Sequence, residues 1–234
     1  MDSVHVFPSK LIHGLLTLGN IHVSIGDEQE IADLKRNGFY GRQLLDPRRV
    51  PSAETVRSQF MLSSYEAIWL LLAECLRVTD TQGQNIDVEQ CWTIFYQADS
   101  NFYLKYSAYH YLRSHHWTVR AGLKYGVDFL AYNGNPNQYH SQYAVVVRAI
   151  EIKTSESRIT RLNTLEALIR LLGLVSKELL ICDVASPSDQ DVATPDCLGH
   201  LDIQVFSFRR WAPQKARNID LKTMDQIKKT KKGI

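Results

Sequence analysis

The sequence predicts an α/β chain of the α+β kind, with a small helical N-terminal region followed by a domain built on a mixed sheet. Apolar residues make up 44% and charged residues 22% of the 234 residues, as in ordinary globular proteins. Apolar side chains recur at helical spacing through roughly the first ninety residues. From about Asp99 onward, helical segments alternate with short β-branched runs, which indicates a layered domain of helices and strands.

The N-terminal region, residues 1–95, is predicted to be mostly helical. Its clearest segment is Ser64–Val78, where apolar residues repeat at the spacing of one helix face before the polar run Thr79–Asn85 interrupts them. The segment Ile31–Asn37 is short and charged. Further helical segments are predicted at Ser52–Gln59, which opens with a helix-start pattern, and at Asp87–Phe95.

The second domain, residues 96–217, is predicted to hold a mixed sheet and two helices. The Gly, Pro and Asn residues of Asn133–Gln138 predict a turn between two of its strands. The helices are expected at Asn101–His116 and Asn163–Leu174, and the strands at Trp117–Lys124, Val127–Tyr132, Ser141–Ile150, Glu178–Val184 and Ile203–Trp211. The basic tail, residues 218–234, is expected to be disordered, although it could also contact RNA phosphates or act as a nuclear address.

Charge and cysteine usage narrow the class of protein. A formal net charge of +2 does not by itself indicate a nucleic-acid binder, so any basic surface must be local. The longest apolar run, Ala67–Ala73, is too short to cross a membrane, and no membrane partner is expected. The four cysteines are scattered without a CxxC pair, which predicts buried free thiols and a reducing compartment.

Three residues fall where chemistry is usually placed, at the ends of strands. Tyr132 ends a predicted strand, and His140 follows the turn that leads into the next one. Lys177 lies just before a continuously apolar strand that should be central in the sheet. Taken one at a time, each residue is as well explained by packing or solvation, and no spacing rule makes the three meet.

Several segments resemble, in order, the signatures of the tRNA-intron endonucleases, and the likeness is best with the eukaryotic catalytic subunit that cuts the 5′ splice site. The segments are Leu123–Tyr143 (LKYGVDFLAYNGNPNQYHSQY), Val175–Cys182 (VSKELLIC), His110–Trp117 (HYLRSHHW) and Arg210–Trp211. The likeness covers about Glu89–Pro213 and implies that residues 96–217 form the family's catalytic domain. The turn reads GNPN where relatives often have adjacent prolines, and Ser141 stands where a small apolar residue is usual.

The resemblance implies RNA cleavage without a metal or other cofactor, with Tyr132, His140 and Lys177 as the catalytic residues. The substrate's own 2′-hydroxyl attacks the adjacent phosphorus and leaves a 2′,3′-cyclic phosphate and a 5′-hydroxyl. His140 would protonate the departing oxygen, since a histidine titrates near neutral pH. Lys177 would stabilise the phosphorane. Tyr132 is either the base or a group that orients the 2′-hydroxyl, because a phenol with an ordinary pKa of about 10 is rarely ionised at pH 7.

The resemblance also implies substrate contacts and partners. Arg170 and Arg210 match the arginines that sandwich a flipped base near the partner subunit's cleavage site. The family works as an assembly of two catalytic and two structural subunits on precursor tRNA, which places the chain in the nucleus. The strand Ile203–Phe208 is either an exposed edge for pairing with a partner or an internal strand.

Two other functions compete with this interpretation. The first is a non-catalytic structural or RNA-binding subunit of the same complex, which would be expected to lack at least one catalytic residue. The second is an unrelated RNA-binding module. His110, His115 and His116 lie close together in sequence, but no cysteine or acidic cluster accompanies them at ligand spacing, so no metal site is expected.

Overall fold

A computed structural model of the chain describes residues 7–17, 21–44, 59–151, 162–186 and 192–209. Within these residues the elements form a six-stranded sheet, a five-stranded sheet and the helices that pack on them. The predicted α+β class is therefore confirmed. Of the predicted helical segment Ser52–Gln59 only Gln59 is described, and it begins a strand; the basic tail, 218–234, lies outside the described residues.

The N-terminal region contains a sheet that the sequence did not predict. In chain order its elements are β1 (Ile12–Leu16), β2 (His22–Ile25), α1 (Glu28–Arg36), β3 (Arg42–Leu44), β4 (Gln59–Ser63), α2 (Ser64–Leu72), β5 (Leu76–Thr79), β6 (Asn85–Ile86) and α3 (Val88–Ala98). The strand order is β3-β4-β2-β1-β5-β6, with β1 parallel to β5. The expectation of a mostly helical region was wrong.

The helix predicted at Ser64–Val78 is real but shorter. Ser63 and Glu66 form a capping box that starts α2. The helix ends at Leu72, because Glu74 adopts a positive φ of 56° and the Cys75 amide bonds to the Leu70 carbonyl at 2.9 Å. The chain then turns straight into β5. This C-terminal turn lacks the glycine that usually marks such an ending.

The second half forms the mixed sheet that the sequence predicts. Its elements are α4 (Phe102–Ser114), β7 (Thr118–Ala121), β8 (Phe129–Tyr132), β9 (Tyr143–Glu151), α5 (Leu162–Leu174), β10 (Glu178–Ser186) and β11 (Asp202–Phe208). The order is β11-β10-β9-β8-β7, in which β9 and β10 are parallel and the other pairs antiparallel. The strand β11 therefore forms one edge of this sheet.

Helices cover both faces of the five-stranded sheet. Side chains alternate across β10, so that Leu180 and Cys182 face the main core with α4, whereas Leu179 and Ile181 face α5. The buried residues on the α5 side, called here the α5-side cluster, are Val127, Leu130, Ala144, Leu172, Leu179 and Ile181. A strand covered on both faces reads as a continuous apolar run, as predicted for β10.

The cysteines are free thiols, as the sequence predicts. Cys91, Cys182 and Cys197 are buried and Cys75 is half-buried. Burial raises the pKa of the Cys91 and Cys182 thiols to about 12. Within the described ranges, none of the helices has the length and apolar character that a membrane span requires.

Three charged side chains join the two halves of the molecule. The Glu66 carboxylate is 7% exposed and accepts hydrogen bonds from the Gly41 amide at 2.9 Å and the Ser63 amide at 2.8 Å. Arg120 of β7 lies 4.0 Å from Glu66 and donates to the Gly41 carbonyl. The buried Arg113 of α4 donates to the Gly38 carbonyl at 3.1 Å. The loop before β3 is thus tied to the second sheet.

We expect Glu66→Ala to lower the free energy of unfolding by about 2–4 kcal/mol, because the buried Gly41 amide and the part-buried Ser63 amide would lose their acceptor. The urea midpoint measures the change. As a control, Glu89 also lies in the first turn of a helix but is exposed, and Glu89→Ala should change stability by less than about 0.5 kcal/mol. Equal effects of the two substitutions would contradict the role given to Glu66.

Candidate active site

The strand directions of the five-stranded sheet bring three chain segments to one edge. β8 ends at Tyr132, and its antiparallel neighbour β9 begins at Tyr143. Because β10 is parallel to β9, it begins at the same edge, with Glu178 opposite Tyr143. The residues that lead into β9 and β10 therefore lie beside the residue that ends β8.

Backbone hydrogen bonds extend the pairing just past the strand ends. The Gln142 amide donates to the Ala131 carbonyl at 3.0 Å, and the Glu178 amide donates to the Gln142 carbonyl at 3.0 Å. Gln142 is thereby held between the end of β8 and the start of β10. These backbone bonds fix Gln142 and Glu178, the residues that directly follow Ser141 and Lys177.

The C-terminal cap of α5 positions Lys177 at this edge. The Lys177 amide bonds to the Leu172 carbonyl at 2.9 Å and the Ser176 amide to the Gly173 carbonyl at 3.4 Å, the bonding pattern of a Schellman motif. Ser176 occupies its left-handed position with φ 55°. Gly173 stays inside the helix, so the sequence located the helix end but not the residue that turns the chain.

Among the described residues, the Lys177 ammonium contacts two separate segments. Its Nζ donates to the Ser141 carbonyl at 3.4 Å and lies 5.2 Å from the centre of the Tyr125 ring. Ser141 directly follows His140. The structure therefore brings Lys177 next to the segment that carries the predicted histidine.

Tyr132 lies on the same side of the sheet as Lys177. It is half-buried and packs against the α5-side cluster, two residues after the buried Leu130. Tyr125, whose ring contacts the Lys177 ammonium, packs against the same cluster. The phenol of Tyr132 thus stands at the lip of the sheet, one strand away from the residues that lead into β9.

His140 follows a turn that is organised by Asn135. The Asn135 side chain accepts from the Asn137 amide at 2.9 Å, and its carbonyl accepts from the Tyr139 amide at 3.0 Å. Gly134 has φ 106°, a conformation that requires glycine. The predicted turn is present, and it leaves His140 exposed beside the buried Ser141.

Of the two arginines predicted to bind the base, only Arg170 lies within the described residues. Arg170 lies on the exposed side of α5, away from the buried Leu172, with its guanidinium 3.7 Å from the Glu166 carboxylate. This exposed i, i+4 pair is weak. Arg210 lies outside the described residues. The role of Arg170 in binding a base near another subunit's cleavage site stays a prediction.

Asp128 and His110 have perturbed pKa values but do not belong to the edge that carries Lys177. Burial raises the pKa of Asp128, although its carboxylate accepts a 2.8 Å hydrogen bond from the Val147 amide. This bond joins the start of β8 to β9, so Asp128 is structural. Burial lowers the pKa of His110, whose ring meets the Trp69 ring edge-on. In the ranges that the structure describes, no set of three or more His, Cys, Asp or Glu side chains is grouped as metal ligands.

Sequence reasoning missed Tyr125. It belongs to the short 3₁₀ turn Leu123–Tyr125, which shortens the strand expected at Trp117–Lys124. The KYG run marks a turn through Gly126, which has φ 69°, but nothing in the run indicates that the tyrosine meets a lysine far along the chain. Only the pairing of β9 with β10 creates that contact.

Two family models match the chain in succession. The tRNA intron endonuclease N-terminal domain matches residues 15–92, and the tRNA intron endonuclease catalytic C-terminal domain matches residues 102–193. The second match contains Tyr132, His140 and Lys177. The predicted boundary between residues 95 and 96 stays a prediction.

The chain is also similar to curated proteins along most of its length. It is 30% identical over 200 residues to the tRNA-splicing endonuclease subunit Sen2 of Rattus norvegicus, covering 82% of this chain and 43% of the rat protein. It is 30% identical over 213 residues to the tRNA-splicing endonuclease subunit Sen2-1 of Arabidopsis thaliana, covering 90% of this chain and 85% of that protein. An archaeal tRNA-splicing endonuclease, from Hyperthermus butylicus, is 30% identical over 144 residues, or 62% of this chain and 78% of the archaeal protein.

The chain thus spans less than half the length of the rat relative but most of the Arabidopsis one. Both domain models, the order of the elements at the sheet edge and the long match to the Arabidopsis subunit agree with the resemblance carried by the sequence segments. The chain belongs to the tRNA-intron endonuclease family.

Proposed function

We propose that this chain is a catalytic subunit of a tRNA-splicing endonuclease that cleaves precursor tRNA at the 5′ splice site. The single observation that carries the proposal is the contact between the Lys177 ammonium and the Ser141 carbonyl. It puts a cation beside His140, at the sheet edge where β8 ends with Tyr132. A phosphate at this edge would face a tyrosine, a histidine and an ammonium.

The proposed reaction is an internal transfer of the phosphoryl group, without a metal. The 2′-oxygen attacks the adjacent phosphorus and loses its proton, and the bond from phosphorus to the 5′-oxygen breaks. The 5′-oxygen takes up a proton. The products are a 2′,3′-cyclic phosphate and a 5′-hydroxyl. The nucleophile is part of the substrate, so the protein has to move protons and stabilise charge.

Each of the three side chains has the access that its role requires. His140 is exposed and can reach a departing 5′-oxygen as the general acid. The Lys177 ammonium is only partly exposed, which strengthens its attraction for a phosphorane oxygen. Tyr132 is half-buried with its ring packed, so it can accept the proton of the 2′-hydroxyl or hold that hydroxyl in line.

The proposed partners are a second catalytic subunit, two structural subunits and the folded body of precursor tRNA, in the nucleus. Among the described strands β11 pairs only with β10, and its Phe206 is 43% exposed. Such an edge can pair with a strand of another subunit. Arg170 and Arg210 would bind a flipped base between their guanidinium planes at the partner's cleavage site, where RNA shape rather than groove sequence is read.

Replacing the proposed general acid tests the assignment directly. In a complex reconstituted with its partner subunits and an intron-containing tRNA, we expect His140→Ala to lower cleavage at the 5′ splice site by about 10²–10⁴-fold. Cleavage at the other site should persist, and the thermal midpoint should change little because His140 is exposed.

His13→Ala is the matched control, because His13 is also exposed but lies on β1 of the six-stranded sheet. It should leave cleavage unchanged. If His140→Ala still allowed both sites to be cut at the normal rate, the chain would be a structural subunit and the proposed function would be wrong.

The chemistry makes a second prediction, about the substrate. Cleavage should persist in excess chelator, and a tRNA with a single 2′-deoxy nucleotide at the 5′ splice site should not be cut there. Mapping the product ends should identify a 2′,3′-cyclic phosphate. A magnesium requirement of the chemical step, or normal cleavage of the deoxy substrate, would contradict the mechanism.

Arg170→Ala should lower cleavage at the partner's site by about 5- to 100-fold, the loss expected when a base loses its stacking contact. Arg170→Lys should be impaired too, since an ammonium keeps the charge but not the planar stacking surface. Arg36→Ala, at an exposed position at the end of α1, serves as the control. A fully active Arg170→Lys variant would show that only charge matters.

A further inference from the structure

We propose that Tyr125 is a positioning residue that holds the Lys177 ammonium at the sheet edge through the face of its ring. The inference rests on the proposed function, because it gives Tyr125 a role only if Lys177 acts on the phosphate. The observation behind it is the 5.2 Å distance between Lys177 Nζ and the centre of the Tyr125 ring. Cations within about 6 Å of an aromatic ring centre are attracted by its negative face.

A lysine needs such a partner because its side chain is flexible. The ammonium sits on a four-carbon stem with many rotamers, so a fixed backbone alone does not fix the charge. The Ser141 carbonyl gives one contact, at 3.4 Å, which is long for a hydrogen bond. The Tyr125 ring gives the other, from a separate segment. Together the two contacts restrict where the ammonium can stand.

The Tyr125 ring is itself held firmly enough to act as a support. The backbone amide of Tyr125 donates to the Gly122 carbonyl at 2.9 Å, which closes the 3₁₀ turn. Gly126 follows in the left-handed conformation and turns the chain back toward β8. The ring packs against the α5-side cluster, which also supports Tyr132. One apolar cluster therefore fixes both the proposed base and the support of the proposed cation.

The expected effect is on the chemical step more than on binding. An ammonium that is already in place stabilises the charge that develops on the phosphorane without reorganising. Loss of its support should lower kcat and leave KM nearly unchanged, because the ground-state phosphate contacts remain. A cation–π contact of ordinary strength corresponds to about a 2- to 30-fold change.

The test uses the complete reconstituted complex with an intron-containing tRNA, in single-turnover experiments at the 5′ splice site. Tyr125→Leu removes the ring face and should lower the rate by about 2- to 30-fold. Tyr125→Phe keeps the ring face and should restore most of the wild-type rate. Tyr96→Leu is the control, because Tyr96 is a half-buried tyrosine of α3 outside this edge, and it should not change the rate.

A double-substitution cycle separates positioning from a general packing role. In a Lys177→Ala background the reaction no longer uses the ammonium, so adding Tyr125→Leu should lower the rate less than about twofold. Thermal melting of each variant shows that it is folded. A wild-type rate for Tyr125→Leu, equal losses for the Leu and Phe variants, or independent losses in the double variant would each overturn the inference.

Substitutions at Lys177 and at Tyr125 separate a failure of the proposed function from a failure of the positioning role. If Lys177→Ala cleaves the 5′ splice site at the normal rate, the proposed role of the lysine fails, and that of Tyr125 with it. If Lys177→Ala is impaired but Tyr125→Leu is not, the proposed function stands and only the positioning role of Tyr125 is lost.

Discussion

The parallel pairing of β9 with β10 is the constraint on which the candidate active site depends. Nine residue pairs, from Tyr143–Glu178 to Glu151–Ser186, hold the two strands in register. Because both strands start at one edge, the residues that precede them are neighbours although they lie far apart in sequence. A shift of the register by one residue would turn every side chain of β10 to the opposite face and carry Lys177 away from Ser141.

The helix α5 meets the geometric demand of this pairing and also shapes the edge. Parallel strands need a crossover connection, and a helix that returns over the sheet is its usual form. α5 buries Leu172 against Leu179 and Ile181, so the crossover covers one face of the sheet. Its C-terminal cap then turns the chain directly into β10, and Lys177 lies at the junction. The helix α5 therefore both covers one face of the sheet and sets the position of Lys177.

Much of the second half could be predicted because its signals are local. The apolar run of β10, the Asn and Gly residues of the turn before His140 and the helical spacing of α5 each act within a few residues. The N-terminal sheet was missed because its strands are short and β5 continues the apolar pattern of α2. The chain leaves the helix through Glu74, a residue that gives no sign of a positive φ. Tertiary pairing with β1 decides that segment.

For the candidate active site, too, the sequence predicts the features set by neighbouring residues but not the contacts between distant ones. The sequence alone places each of Tyr132, His140 and Lys177 at a strand end, because turns and helix caps are determined by residues close together in the chain. That Lys177 reaches Ser141 and Tyr125 could not be predicted, since the contacts exist only once β9 and β10 have paired. The family resemblance implied that Tyr132, His140 and Lys177 act at one site, and the strand directions give a physical reason why the segments that carry them meet at one edge.

Ser141 shows why a departure from the family pattern can leave such a site intact. Its hydroxyl is buried and has no hydrogen-bond partner among the described residues, a state that costs about 1–3 kcal/mol. The contact with Lys177 is made instead by the backbone carbonyl, which every residue type carries. A serine in place of a small apolar residue therefore affects stability and not the position of the cation. The same logic applies along the whole edge, where backbone groups of Ala131 and Gln142 fix the segments that carry the reactive side chains.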